Sequence, residues 1–153
     1  VGFGMHVLGY DPYTDAWPLE IDKCDLDTHL ATSDFISIHI PLNPKTTGMI
    51  GKREFALMKA GALLVNTSRG SITDEGALLA ALEEGRLGAA GLDVLEGEPL
   101  TDRHPLVIHA RRKENLVITP HIGGFSPDAV TIVVAHAARR IAAVLGDESV
   151  NGH

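Results

Sequence analysis

The stretch ALLVNTSRGSITDEGALLAALEEG, residues 62–85, decides the fold. It begins with an apolar run, Ala62–Thr67, which predicts a strand buried on both faces. Leucines at helical spacing follow and predict a helix over Thr73–Glu84, with Gly85 placed to end it. A buried strand followed directly by a helix is the repeating unit of a parallel α/β sheet.

The same alternation continues on both sides of this unit. It predicts strands at Met5–Tyr10, Phe35–Ile40, Ala89–Val94 and Leu116–Thr119, and helices at Asp25–Thr32 and Lys52–Met58. A last helix is predicted to begin with Ser126 as N-cap and to end at Gly146. Its stripe of valine, isoleucine and leucine at helical spacing, from Val130 to Leu145, is expected to be buried. In parallel α/β sheets, ligands bind at the carboxyl ends of the strands.

Composition narrows the class of protein. The 153 residues suit one domain, and 44% apolar with 22% charged residues are typical of a soluble globular chain. Thirteen basic against 20 acidic side chains give a net charge of −7, which argues against nucleic-acid binding. The lone cysteine excludes an internal disulfide, and neither a signal peptide, a membrane span nor metal-ligand spacing is visible. A soluble cytoplasmic protein without a metal is therefore expected.

Four residues at strand ends or in loops could carry chemistry. Asp11 follows the predicted strand Met5–Tyr10, and an acid just past the second strand of a Rossmann-type unit accepts hydrogen bonds from an adenosine ribose and repels a 2′-phosphate. From spacing alone, an Asp-Pro turn is the ordinary explanation. Arg69 is suited to a carboxylate, or to a surface salt bridge. His121 is a candidate acid/base or a solvated loop histidine. Glu98 sits in a segment that reads also as an acidic turn.

Several contiguous segments turn these isolated residues into a resemblance. They are Ser33–Pro41 (SDFISIHIP), Thr46–Gly51 (TTGMIG), Met58–Asp74 (MKAGALLVNTSRGSITD), Gly91–Val94 (GLDV), Glu98-Pro99 and Thr119–Gly124 (TPHIGG). In this order they closely resemble the signatures of the D-isomer-specific 2-hydroxyacid dehydrogenases, and Gly123-Gly124 is similar to the phosphoglycerate dehydrogenases among them. The resemblance covers nearly the whole chain.

The resemblance implies a Rossmann-type parallel sheet with helices on both faces, and NAD as cofactor. It places the family's catalytic arginine, glutamate and histidine on Arg69, Glu98 and His121. Arg69 would hold the carboxylate of a 2-hydroxy or 2-keto acid, and His121, oriented by Glu98, would exchange a proton with its C2 oxygen. The implied cofactor contacts are Asp11 at the ribose, Asp93 near the nicotinamide carboxamide, and Ile40, Pro41, Thr46, Thr67, Ser68, Arg69, His121 and Gly123.

The departure from the family lies at the start of the chain. Val1–Gly4 looks like the last turn of the first Rossmann helix. This sequence therefore does not contain the first strand, the Gly-x-Gly-x-x-Gly turn or most of that helix, nor the substrate domain that precedes them in the family. The expectation is a fragment, inactive alone, with an unfilled slot in its sheet and a tendency to form homodimers. Residues 1–124 would be the NAD-binding domain and 125–153 a helix and tail leading back to the substrate domain.

Two further interpretations stay open at this point. The chain could be a non-catalytic, NAD(H)-sensing interaction protein on the same fold, since Arg69, Glu98 and His121 do not distinguish the two. It could also be a structural fragment that only self-associates. The particular 2-hydroxy acid is not readable from these residues.

Overall fold

The structure, a computed structural model, describes residues 4–14, 16–99 and 101–147. The helical turn predicted at residues 1–4 includes residues 1–3, which lie outside the described residues. The strands are β1 (Val7–Gly9), β2 (Ile21–Lys23), β3 (Phe35–Ile38), β4 (Ala62–Asn66), β5 (Leu87–Leu92) and β6 (Leu116–Ile118). The helices are α1 (Leu26–Thr32), α2 (Lys52–Leu57), α3 (Glu75–Glu83), α4 (Pro105–Ala110) and α5 (Pro127–Asp147), with a 3-10 turn at Gly70–Ile72.

Every described strand pair is parallel, so the predicted parallel α/β architecture is confirmed. The strands form two separate sheets, β1-β2 and β3-β4-β5-β6. In the larger sheet, strand order follows chain order, and helices α2, α3 and α4 provide the crossovers between strands. The carboxyl ends of β3 to β6 therefore lie at one edge, where their following loops can meet.

One hydrophobic core joins the larger sheet to its helices. Alternate residues of β3 to β6 point into this core together with residues of α1 to α4, and Leu64, Leu78 and Leu106 are fully buried there. α1 starts at its N-cap Asp25, whose carboxylate accepts from Thr28 N at 2.8 Å. This cap satisfies a helix-end amide that would otherwise lack a partner.

The opposite face of the larger sheet is exposed. Phe35 pairs with Leu63, and the register through β5 places Val117 on the same face. These three side chains are 53%, 41% and 62% exposed. Parallel sheets are normally covered on both faces, so this face has the apolar character of a surface that packs against a further layer.

The slot expected in the sheet is present between β1 and β3. Two cavities, of about 340 Å³ and about 520 Å³, lie side by side and are lined by residues of both strands. Leu8 of β1, Ser37 of β3 and His29 of α1 line both cavities. Burial lowers the pKa of His29, against the opposing effect of a hydrogen bond with the Leu8 backbone. An open groove thus separates β1 of the two-stranded sheet from β3 of the four-stranded sheet.

The boundaries of the predicted elements hold to within two residues, but two elements were missed and two ends differ. β2 and α4 were not predicted. α3 begins two residues later than predicted, because Thr73 forms a parallel bridge with Ile50 and Asp74 becomes the N-cap. Gly146 does not terminate the last helix, which runs on to Asp147.

The chain divides into two units between Pro120 and His121. The second unit contains α5, which starts as predicted, with Ser126 Oγ accepting from Ala129 N at 3.1 Å and Pro127 at the first position. Its apolar stripe, which helical spacing predicts to pack against a partner, is not covered within this chain: Val133 and Val144, for example, are 65% and 63% exposed. No helix among the described residues is long and apolar enough to cross a membrane.

Candidate functional site

Arg69 lies in a turn whose backbone is held by hydrogen bonds to the Asn66 side chain. Asn66 ends β4 and is only 1% exposed. Its Nδ2 donates to the carbonyl oxygen of Arg69 at 2.9 Å, and its Oδ1 accepts from Ser68 N at 3.0 Å. These bonds fix the backbone on both sides of Thr67, so Arg69 leaves the carboxyl end of β4 in a defined direction. Its side chain is exposed, with Nη1 donating to Ser68 O at 2.6 Å.

The loop after β3 is tied to this turn. Ser68 Oγ donates to the carbonyl oxygen of Ile40. Thr46 Oγ1 donates to Pro41 O at 2.7 Å, which closes the loop on itself. The structure thus brings together four of the predicted cofactor-contact residues, in two adjacent loops at one sheet edge. Thr67, a fifth, is exposed between them.

Asp93 occupies the next position along the same edge. It follows β5, is 6% exposed, and its Oδ1 accepts from Thr119 Oγ1 at 2.5 Å. Its backbone N–H donates to Asn66 O at 3.0 Å, which continues the ladder past the end of β5. The carboxylate is therefore held between the ends of β4, β5 and β6.

Glu98 lies in the segment that follows Asp93. Its side chain is exposed, and Oε1 accepts from Leu95 N within the same segment. This segment packs directly on the turn after Arg69: a Cβ added at Gly70 would lie 2.3 Å from Leu95 C and 2.4 Å from Glu96 N. Only glycine permits this approach, so the backbones that carry Arg69 and Glu98 touch.

Asp11 stands apart, at the carboxyl end of β1. Oδ1 accepts from Tyr13 N at 2.8 Å and Oδ2 from Thr14 Oγ1 at 2.9 Å. The hydrogen bond from the Tyr13 backbone, then that from Thr14, lowers the pKa of Asp11, so the carboxylate stays charged. A carboxylate offers about four acceptor positions, so positions for ribose hydroxyls are left. Asp11 and Ile40 line the same cavity between β1 and β3.

His121 and Gly123 belong to the second unit and are described there by themselves. His121 has a φ of 54°, the left-handed region that non-glycine residues rarely adopt. It is the only such non-glycine residue in the described part of the chain. A non-glycine residue in this region costs free energy and persists only where the surrounding structure enforces it. Such residues cluster at functional sites. Phe125 N donates to Ile122 O at 2.9 Å and closes the short turn that follows His121.

Sequence reasoning missed Asn66 as the residue that shapes the turn. The visible signal was a polar residue at the end of a strand whose other inward positions are apolar. Within the described residues, no group of three or more His, Cys, Asp or Glu side chains could hold a metal ion.

Comparison with known proteins identifies this arrangement. The family model described as D-isomer specific 2-hydroxyacid dehydrogenase, NAD binding domain, matches residues 1–123. The chain is 41% identical over 150 residues to a hydroxypyruvate reductase of Thermotoga maritima, covering 95% of this chain and 47% of that relative.

Two solved structures have the same fold. D-2-hydroxyisocaproate dehydrogenase matches with a TM-score of 0.88 and 30% identity, over 96% of this chain and 48% of that one. D-lactate dehydrogenase from Aquifex aeolicus, complexed with NAD and lactic acid, matches with a TM-score of 0.82 and 31% identity, over 97% of this chain and 49% of that one. The chain spans about half the length of these relatives.

The family match covers β1 to β6 and every predicted site residue from Asp11 to Gly123. The parallel strands, the charged Asp11 carboxylate after β1 and the loops gathered at the ends of β3 to β6 fit a dinucleotide. The chain belongs to the D-isomer-specific 2-hydroxyacid dehydrogenase family, whose NAD-binding domain residues 1–123 match.

Proposed function

We propose that the complete polypeptide containing this chain is an NAD-dependent oxidoreductase that interconverts 2-hydroxy acids and 2-keto acids. The observation that carries the proposal is the turn at Arg69, which Asn66 fixes at the carboxyl edge of the sheet in direct backbone contact with the Glu98 segment. The segments that carry the Arg69 guanidinium and the Glu98 carboxylate are thereby in contact, next to loops that belong to an NAD-binding domain.

Arg69 recognises the substrate in this proposal. Its planar guanidinium can donate two parallel hydrogen bonds to the carboxylate of a 2-keto acid. Its remaining donors can polarise the C2 carbonyl oxygen, where negative charge develops as the carbonyl is reduced. NAD, when bound, supplies the hydride acceptor or donor at its nicotinamide ring.

His121 carries the proton. During reduction its imidazolium gives a proton to the C2 oxygen, and during oxidation the neutral ring takes the proton from the C2 hydroxyl. Glu98 orients the ring in this proposal. The left-handed backbone at His121 supports this role, because such a conformation persists only where its surroundings enforce it.

The direct test is reduction of 2-keto acids followed by NADH absorbance. Glyoxylate, hydroxypyruvate, pyruvate and phosphohydroxypyruvate form a suitable panel, because all carry a carbonyl group next to a carboxylate and differ only in the group attached to that carbonyl carbon. Turnover of at least one of these acids supports the proposal, provided that the matching compound without the carboxylate group is not turned over. If NADH binds and none of the panel is turned over, the alternative of an NAD(H)-sensing interaction protein is favoured.

Asp11 sets the preference for NAD over NADP. Its carboxylate has acceptor positions left for the two ribose hydroxyls, and its negative charge repels a 2′-phosphate. Asp11→Asn preserves the acceptor for Tyr13 N and removes the charge. We expect the ratio of NAD to NADP affinity to fall by about 10- to 100-fold, the equivalent of one hydrogen bond to a charged group.

Calorimetric titration of both cofactors measures this ratio. Asp22→Asn is the matched control, since Asp22 is an exposed acid on the neighbouring strand β2, paired with His6 at 2.6 Å. A ratio unchanged by Asp11→Asn would remove Asp11 from the ribose site.

The groove between β1 and β3 accepts a strand that completes the sheet. Among the described residues, β1 and β3 each pair with another strand on one side only, and the groove walls carry apolar side chains such as Leu8 and Ile36. A helix that follows such a strand would begin at the carboxyl edge, where its N-terminal amides bind an anion such as the pyrophosphate. The exposed face carrying Phe35, Leu63 and Val117 is a surface on which that helix could pack.

Residues 1–153 alone are therefore expected to bind NAD weakly. Adding ahead of residue 1 the strand, glycine-rich turn and first helix that the family resemblance implies should tighten binding by about 10- to 30-fold, the effect of a favourable helix N-terminus on an anion. Calorimetry on the two proteins tests this, with the same addition carrying alanine at each turn glycine as control. Equal, tight binding by both proteins would contradict the proposal.

Two expectations stay predictions: a cytoplasmic location and a homodimer. The presence of a single cysteine in this sequence and a soluble dinucleotide cofactor support the first. The exposed apolar residues of α5 support the second, because soluble proteins rarely leave large apolar patches uncovered.

A further inference from the structure

One carboxylate, Glu75, fixes both ends of the segment that carries Glu98. Glu75 is the first residue of α3. Its Oε1 accepts from Glu96 N at 2.8 Å, at the start of the segment. Its Oε2 accepts from His104 Nε2 at 2.8 Å, at the end of the segment, where α4 begins. The side chains of Glu75 and His104 are only 11% and 16% exposed, so this connection is shielded from water.

His104 fixes the orientation of Glu75. Its Nδ1 accepts from Leu106 N at 3.2 Å, which caps α4. A nitrogen that accepts carries no proton, so the proton of the neutral ring lies on Nε2 and points to Glu75. The order of donors and acceptors thus runs in one direction, from the Leu106 amide through the imidazole to the Glu75 carboxylate.

The opposite side of the same segment rests on the turn that follows Arg69. The backbone of Leu95 and Glu96 lies so close to Gly70 that no Cβ fits between them. The Glu96 amide, held by Glu75, is part of this contact. The hydrogen bond from Glu96 N to Glu75 thus holds the backbone two residues before Glu98, at the point where it contacts the Arg69 turn.

We propose that Glu75, oriented by His104, is a positioning residue that holds the Glu98 segment against the Arg69 turn. This inference rests on the proposed function, in which Glu98 acts on the proton-transferring histidine. Loss of the Glu75 carboxylate leaves the Glu96 amide and the His104 imidazole without their shared acceptor. The segment between them then loses its fixed ends, and Glu98 loses its defined position.

Glu75→Gln tests this in the complete polypeptide. Glu96 N–H and His104 Nε2–H both donate to Glu75, whereas a glutamine side chain offers one acceptor oxygen and one NH2 donor group. The variant can therefore keep only one of the two hydrogen bonds. We expect kcat for 2-keto acid reduction to fall by about 10-fold, since a misplacement near 1 Å costs up to about 10²-fold. KM for NADH should not change, because Glu75 does not touch the predicted cofactor contacts. Glu83→Gln is the control: it removes an exposed carboxylate from the same helix.

A double-mutant cycle with Glu98→Gln separates positioning from general stability. If Glu75 acts through Glu98, adding Glu75→Gln to Glu98→Gln lowers kcat no further. A further drop of the same size in the double variant, or an unchanged kcat in Glu75→Gln alone, would overturn the inference. An unchanged kcat in Glu98→Gln alone would instead overturn the role of Glu98 in the proposed function, so the two failures are distinguishable.

Discussion

Replacing His121 with alanine in the complete polypeptide is expected to reduce kcat by about 10²- to 10⁴-fold, the usual contribution of a positioned acid/base. NAD binding should survive, because most of the predicted cofactor contacts lie in the loops after β1, β3, β4 and β5. The imidazole is the predicted group that exchanges a proton with the C2 oxygen. Steady-state turnover and cofactor titration on the same preparation give both quantities.

The matched control is His136→Ala. His136 is an exposed histidine on α5, in the same unit as His121 but away from the turn with the left-handed backbone. Its removal should leave kcat at the wild-type value. Turnover by His121→Ala equal to that of the control would exclude His121 from the mechanism.

Arg69→Gln is expected to produce the second large effect, on substrate recognition. The guanidinium is the predicted partner of the substrate carboxylate and of the developing oxyanion, so kcat/KM for a 2-keto acid should fall by about 10²-fold or more. The specific signature is a comparison of each acid with its 2-keto amide. The wild type should prefer the acid strongly, and the variant should lose most of that preference, since the amide carries no charge for Arg69 to bind.

Arg53→Gln is the control for removing an arginine. Arg53 pairs with Asp27 and Glu54 on the surface, at 2.5 Å and 3.0 Å, and hydrogen bonds to both carboxylates raise its pKa. Exposed pairs of this kind contribute little to stability, so kcat/KM should not change. An acid-over-amide preference retained in Arg69→Gln would show that another group binds the carboxylate.

The strands of the larger sheet could be predicted from sequence, because each contains a short apolar run of the kind that forms a buried strand. Ala62–Thr67 was predicted and Ala62–Asn66 is observed, with Leu64 fully buried. β5 lies two residues earlier than predicted, since its first residues pair with β4 across a register shift. Asp93 consequently falls just beyond the strand, at the edge where the site residues gather.

β2 and α4 could not be predicted by the same reasoning. Ile21–Lys23 has only one apolar residue and forms a strand because β1 pairs with it. α4 begins at Pro105 after His104, a residue that is not a usual N-cap. Both elements depend on partners that periodicity does not reveal. Periodicity likewise identifies the apolar face of α5 without identifying what covers it, and in this chain that face is exposed.

The candidate site was predicted mainly from signature segments and much less from single residues. Asp11, Arg69 and Glu98 each had an ordinary structural explanation when considered alone. The structure adds the contacts that join them to their surroundings: Asn66 under the Arg69 turn, Gly70 against Leu95, and Glu75 between Glu96 and His104. These contacts join residues that are distant in sequence or hidden in a turn, so no local pattern indicates them.

The most direct measurement is a crystal structure of the complete polypeptide with NADH and oxamate, an unreactive analogue of a 2-keto acid. We expect the Arg69 guanidinium to bind the oxamate carboxylate through two hydrogen bonds, and His121, contacted by Glu98, to lie within hydrogen-bond distance of the carbonyl oxygen. The adenosine ribose should contact Asp11. Oxamate bound away from Arg69, or His121 and Glu98 directed to surfaces that the ligand does not touch, would contradict the assignment.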